Sequence, residues 1–93
     1  MDLAAWILAI GAQQGVEAPF SPQEVAQAAF PVGLKEEPGK ERWRGQIRSI
    51  RAAAIGLARQ GKVEVLRRGQ VVDVRKPIKG LIRIRWIEPP EAV

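Results

Sequence analysis

Four arginines recur at helical spacing in the middle of the sequence. Arg44, Arg48 and Arg51 are four and three residues apart, and Arg59 follows eight residues later. At about 100° per residue, all four fall within roughly a quarter of a helix circumference, on a flank about 105° from the apolar stripe of the same segment. A guanidinium can bind a phosphate or a guanine edge through two parallel hydrogen bonds. The spacing therefore predicts that the first three bind nucleic acid, whereas Arg59 is also explained by the dipole at a helix C-terminus.

A second basic group follows in a region of strands and turns. It consists of Arg67, Arg68, Arg75, Lys76 and Lys79. Beside a basic helix, such a group would contact the phosphate backbone and fix position more than it reads sequence. The alternative is that these charges prevent edge-to-edge strand pairing, a common role of lysine and arginine. Both interpretations stay open.

Two further arginines, Arg83 and Arg85, lie on one side of the last predicted strand. From there they could face phosphates, or they could face Glu64 across the sheet. For at least one of them, we expect a salt bridge with Glu64.

The charge is unevenly distributed along the chain. Residues 1–38 carry one basic and five acidic side chains, whereas residues 39–93 carry fourteen basic and five acidic ones. This division favours a polyanionic partner for the second part of the chain, although a solvated basic surface would give the same composition.

Motifs for catalysis are absent from the sequence. It contains no Cys and no His, which excludes disulfides, thiolate or imidazole metal sites, and nucleophile–base pairs that need these residues. Glu24, Glu64 and Asp73 are far apart in the chain and each has a local structural role, and no glycine-rich phosphate loop occurs. We therefore expect a protein that is not an enzyme and that needs no metal or other cofactor.

The elements that must position the basic residues are indicated by capping residues and by periodicity. Asp2 and Gly15 bound a first helix, and Ser21-Pro22-Gln23-Glu24 starts a second one with a capping box. After Gly61 the apolar period changes from helical to alternating. The predicted elements are helices over 3–14, 22–30 and 40–60, a loop over 31–40 with Leu34 turned inward, strands over 62–67, 71–74 and 81–87, and a brief edge strand over 16–20.

Three helices followed by a twisted antiparallel hairpin is the order of a winged helix-turn-helix. We therefore predict an α+β, mainly α, fold in a single domain over residues 1–88, followed by a frayed tail over residues 89–93. In this arrangement residues 40–60 form the recognition helix, and residues 67–80 form the basic wing.

Residues from Ser21 to Arg85 resemble an uncharacterised bacterial family, which is catalogued as a domain of unknown function (DUF 3253). This family is similar to winged helix proteins in its order of elements, so the resemblance implies that fold, and it implies no particular activity. The residues that carry the resemblance are Ile50-Arg51-Ala52-Ala53-Ala54, Leu57-Ala58, Gly61-Lys62-Val63-Glu64-Val65, Gly69, Val72-Asp73, Lys79-Gly80 and Ile82-Arg83-Ile84-Arg85.

The expected function is that of a small nucleic-acid-binding module, regulatory or architectural, with double-stranded DNA favoured over RNA as the partner. It would bind mainly through phosphates, and therefore with strong salt dependence. The apolar run Leu3 to Ala12 is too short to span a bilayer and follows Asp2 rather than a basic residue. We accordingly expect no membrane association and a cytoplasmic location.

The alternative is a protein–protein or dimerisation module, because winged helix domains serve in both roles. The first helix is apolar nearly all round, so a homodimer could form through its outer side. The residues predicted for that interface are Ala5, Leu8, Ala9 and Ala12.

Overall fold

The computed structural model describes residues 2–88, in which helices come first and strands last. The predicted tail over residues 89–93 lies outside the described residues. The elements are α1 (Leu3–Gln14), α2 (Pro22–Ala29), a short 3₁₀ helix (Arg42–Gln46), α3 (Ile47–Arg59), β1 (Val63–Arg67), β2 (Gln70–Val71) and β3 (Arg83–Trp86).

The first two helices begin at the predicted caps. The Asp2 carboxylate accepts a hydrogen bond from the backbone N–H of Ala5 at 3.2 Å. At α2, the Ser21 hydroxyl accepts from the N–H of Glu24 at 3.1 Å, and the Glu24 carboxylate accepts from the N–H of Ser21 at 2.7 Å. This reciprocal pair satisfies two backbone donors that the helix itself leaves open, which confirms the capping box.

The strands form one antiparallel sheet in the order β2-β1-β3. On the outer side of β3, Phe20 and Ile84 exchange both of their backbone hydrogen bonds, with N···O distances of 2.9 and 2.6 Å. The edge strand predicted over residues 16–20 is therefore reduced to a single bridge at Phe20. Three helices with this small sheet confirm the predicted α+β, mainly helical fold, which is consistent with a winged helix.

One hydrophobic core lies between the helices and the sheet. The side chains of Ile7, Phe20, Val25, Ile50 and Ile84 are fully buried in it. They come from α1, the Phe20 bridge, α2, α3 and β3, so the core joins every layer of the domain. Removal of these apolar surfaces from water is the main force that fixes the elements relative to one another.

The helix predicted over residues 40–60 is interrupted near its start. Residues 42–46 form the 3₁₀ helix, and the α-helix proper begins only at Ile47. Gly45 lies inside this stretch, and glycine weakens an α-helix because it loses more backbone freedom than other residues. The predicted helix 40–60 is thus two elements, of which Ile47–Arg59 is the regular one.

The strand predicted over residues 71–74 ends at Val71 because the chain turns at Asp73. The Asp73 carboxylate accepts hydrogen bonds from the backbone N–H and from the guanidinium of Arg75. These local bonds compete with the strand ladder and close a turn. The last strand also begins later than predicted, at Arg83.

The prediction that Leu34 turns inward is wrong. Its side chain is fully exposed, and the loop over residues 31–40 is ordered instead by Glu36. The Glu36 carboxylate accepts from the backbone N–H of Gly33 at 3.1 Å and from the Arg42 guanidinium at 3.1 Å. These bonds, the backbone bond from Gly33 foremost, hold the pKa of Glu36 below its ordinary value of 4.5.

Candidate nucleic-acid interface

The arginines in the second half of the predicted stripe are used inside the domain. The Arg51 guanidinium donates to the backbone carbonyls of Ile78 and Gly80, and the Arg59 guanidinium donates to the carbonyl of Val74 at 3.3 Å. Arg51 and Arg59 are about two helical turns apart. Their hydrogen bonds therefore hold the segment before β3 against α3, and this segment runs antiparallel to the helix. We call residues 72–80 the return arm. Arg51, predicted to bind nucleic acid, therefore fastens the return arm to α3.

Two other predicted site residues are paired with nearby carboxylates. The Arg44 guanidinium bonds Glu41 at 2.8 Å and lies 4.4 Å from the centroid of the Trp43 ring. The Arg75 guanidinium bonds Asp73 at 3.1 Å. The side-chain hydrogen bond between the two residues is the main cause of two pKa shifts. It lowers the pKa of Asp73 below its ordinary value, and it raises the pKa of Arg75 above its ordinary value. Both arginines are exposed, but part of their charge is compensated locally.

The remaining five predicted site residues are exposed, and within residues 2–88 none of them makes a side-chain hydrogen bond or ion pair. One lies on α3, two at the end of β1 and two on the return arm. They are Arg48, Arg67, Arg68, Lys76 and Lys79. This group is where the structure leaves positive charge available to a partner.

The turn between β1 and β2 places two of these arginines at the end of the sheet. Arg68 and Gly69 are its central residues, and both have positive φ, at 53° and 79°. This pair of values is typical of the tight turns that join twisted antiparallel strands. Arg68 is the one described residue other than glycine with positive φ.

The salt bridge expected for the last strand is confirmed at Arg85. Its guanidinium bonds Glu64, directly opposite on β1, at 2.7 Å. Arg83 is exposed, and no ion pair joins it to another residue in the range 2–88. The two arginines of β3 thus have different environments although they lie on the same side of the strand.

A groove lies between the N-terminus of α2, the start of α3 and the turn after β1. It encloses about 780 Å³. Four arginines and no acidic residue line it, so its surface is positively charged. The lining residues are Pro19, Ser21, Pro22, Gln23, Ile47, Arg51, Leu66, Arg67, Arg68, Gly69, Gly80, Leu81, Ile82 and Arg83.

Sequence reasoning did not find this groove as a site. It identified Arg51, Arg67 and Arg68 as candidate site residues, and it left Arg83 open between a contact with phosphates and a salt bridge with Glu64. The lining residues come from four separate stretches of chain, over residues 19–23, 47–51, 66–69 and 80–83. Their proximity depends on tertiary contacts such as the bridge between Phe20 and Ile84, which joins the segment before α2 to β3, and no local pattern in the sequence carries that information.

The outer side of α1 exposes three of the four residues predicted for a dimer interface. Ala5, Ala9 and Ala12 are exposed, but Leu8 is half-buried and packs against the core of its own domain. Trp6 remains 36% exposed beside the alanines. The surface predicted for a dimer therefore consists mainly of small side chains. Its largest residue, Leu8, is already partly buried against the core of its own domain.

A family model for a protein of unknown function (DUF3253) matches residues 1–87. The chain belongs to this family, as the resemblance from Ser21 to Arg85 predicted. A search of curated proteins found no match. Among residues 2–88, no helix is long and apolar enough to cross a membrane.

Proposed function

We propose that this chain is a non-enzymatic nucleic-acid-binding module of the winged-helix type, and that duplex DNA is its partner. The observation that carries the proposal is that five of the eight predicted site residues are exposed cations with no internal acceptor within the described residues. A folded domain that uses Arg51, Arg59 and Arg85 in specific internal contacts has a second set of cations with no such contact. Counterion release from phosphates would make that set favourable for binding.

The first part of α3 is the best surface for a duplex. The return arm lies along the side of α3 that carries Arg51 and Arg59, and both donate to its carbonyls. Arg48, one turn before Arg51, is exposed and has no such acceptor within residues 2–88. Next to Arg48, the outer side of the helix carries the exposed small residues Ser49 and Ala52. Small side chains permit a close approach of the helix backbone to a DNA groove.

The proposed contacts favour phosphates over bases. Gln46 and Ser49 are the polar candidates for base recognition at this end of α3, and Gln46 is half-buried. Lys76 and Lys79 on the return arm and Arg68 at the turn would bind the neighbouring backbone. The module would then bind with weak sequence preference, or gain preference as part of a larger assembly. We propose that this action takes place in the cytoplasm, the location that the sequence predicted.

Fluorescence anisotropy with a labelled random duplex tests the proposal. With about five phosphate contacts, the logarithm of the binding constant should fall against the logarithm of salt concentration with a slope of about −4 to −5. Arg48→Gln and Arg68→Gln should each reduce that slope by about 0.9. No binding at low salt would refute the proposal, and equal binding to RNA or to single strands would reject duplex DNA as the preferred partner.

Arg75→Gln is the matched control, because it removes the same charge from a residue that is already paired with Asp73. We expect it to leave the slope unchanged. If it reduced the slope as much as Arg68→Gln does, net charge alone would explain the binding, and the assignment of particular contacts would be wrong.

The second candidate function is dimerisation through α1. The helix carries no charged residue over its twelve positions, and Ala5, Ala9 and Ala12 are exposed. Ala9→Glu tests this more cleanly than Leu8→Glu, because Leu8 also packs on the core. Light scattering should show a dimer that becomes monomeric in Ala9→Glu. A wild-type chain that is monomeric at high concentration would remove this candidate.

A further inference from the structure

The groove described above has an apolar floor and a basic rim. Pro22, Leu66 and Ile82 are buried in its floor, and Ile47 beside them is half-buried. The rim carries arginine side chains from the end of β1 and the start of β3. A surface built in this way complements a molecule that has both an apolar body and a negative charge.

The positive charge of the rim is not neutralised by the residues that line the groove. None of them is acidic. Arg67, Arg68 and Arg83 have no ion pair within the range 2–88, whereas Arg51 donates to the carbonyls of Ile78 and Gly80. Three arginines thus remain for a ligand, while Arg51 holds one wall in place.

Gly80 and Leu81 belong to the wall that Arg51 holds in place, and each has a feature that suits ligand binding. A Cβ atom on Gly80 would lie 3.2 Å from the Nη2 atom of Arg67, so the absence of a side chain lets that guanidinium rest over the backbone. The next residue, Leu81, is 94% exposed although it lines the groove. An apolar ligand would remove this leucine from water, which is favourable in proportion to the area covered.

We propose that the groove binds a small organic anion in which a carboxylate is attached to an apolar body. The apolar part covers the floor and Leu81, and the carboxylate accepts hydrogen bonds from the arginines of the rim. A volume of about 780 Å³ is within the usual range for small-molecule sites. A DNA backbone would bring charge without covering the apolar floor, so this inference goes beyond the proposed function and does not depend on it.

A short series of compounds tests the two parts of the proposal separately. Acetate, butanoate and hexanoate carry the same charge on bodies of increasing length, and hexan-1-ol has the apolar body without the charge. In calorimetric or NMR titrations of the full chain, affinity should rise about twofold to fourfold for each added methylene. Hexanoate should bind more tightly than hexan-1-ol. Backbone amide shifts should be largest at Gln23, Gly69 and Ile82.

Two variants locate the site, and both replace exposed residues. Leu81→Ser should weaken hexanoate about twofold to fivefold by removing apolar contact, with little effect on acetate. Arg83→Gln should weaken hexanoate and acetate alike, by about threefold. Arg75→Gln is the control, because it removes the same charge outside the groove and should change neither affinity.

Three results would overturn the proposal. They are the absence of saturable hexanoate binding at millimolar concentrations, equal affinities for hexanoate and hexan-1-ol, and amide shifts that map to α1 instead of the groove. All titrations are made without nucleic acid. Failure of DNA binding would therefore leave the inference intact, and failure of hexanoate binding would leave the proposed function intact.

Discussion

Arginines of the same sequence stripe have different roles along α3. Arg51, in the second turn of the helix, and Arg59, its last residue, donate to backbone carbonyls of the return arm and hold it against α3. Towards its N-terminal end, Arg48 has no such acceptor within residues 2–88 and is exposed. Helical spacing therefore identifies arginines on one flank, while the neighbouring chain decides which of them find an acceptor inside the domain. Their role follows from where unsatisfied carbonyls lie.

The largest difference that we expect between Arg51 and Arg48 is in the free energy of unfolding. Arg51→Met should lower the free energy of unfolding by about 2 kcal/mol, because it removes charge-assisted donors from the carbonyls of Ile78 and Gly80. Arg48→Met is the matched control, with an expected change within about 0.5 kcal/mol. Urea denaturation measures both. Equal stability of the two variants would show that the return arm does not need its bond to α3.

The next largest effect is on DNA affinity. Here the exposed, unpaired arginines matter more than the internally bonded ones. The double variant Arg48→Gln/Arg68→Gln should lose about tenfold in affinity for a random duplex at near-physiological salt, since it removes two phosphate contacts. Arg59→Gln, which removes the same kind of charge from an internally bonded residue, should lose clearly less. Anisotropy titrations compare them. If Arg59→Gln weakened binding as much as the double variant, the distinction between internally bonded and unpaired arginines would fail.

A smaller effect on the free energy of unfolding is expected for the bond between Arg59 and the return arm. Arg59 bonds one carbonyl, that of Val74, and is exposed. Arg59→Met should therefore cost less than about 1 kcal/mol of unfolding free energy. Hydrogen exchange at Lys76, whose N–H donates to the Asp73 carbonyl, should become faster in this variant. Unchanged exchange there would mean that the Asp73 turn alone holds that part of the arm.

The smallest effect concerns pH and the local pair on the arm. The bond from Arg75 lowers the pKa of Asp73 below its ordinary value of 3.8. The pair therefore stabilises the fold at pH values above that value, and this contribution is lost as pH falls through the lower pKa of the folded state. Unfolding followed from pH 7 to pH 2 should show a slightly steeper acid loss in the wild type than in Asp73→Asn. Identical curves would contradict a stabilising role for the pair.

Local rules in the sequence were sufficient for the starts of α1 and α2 and for the class of fold. Asp2 and the Ser21–Glu24 box cap their helices as predicted, because capping needs only residues three apart in sequence. The start of α3 was harder. Residues 42–46 follow the helical pattern of apolar residues, but they form a 3₁₀ helix in which Trp43 is buried. Periodicity alone does not distinguish these two helix types.

Three properties follow from the sequence alone: the order of elements, the family and the excess of arginine in the second part of the chain. Tertiary packing sets which arginines are available to a partner, because Arg51 donates to acceptors 27 and 29 residues away in the chain. It also decided that Arg83, Leu81 and Pro22 share one groove. Every residue has a backbone carbonyl, so residue types do not indicate which distant carbonyl will accept a hydrogen bond. These assignments therefore required the packed fold. Capping and periodicity act over a few residues and could therefore be read directly.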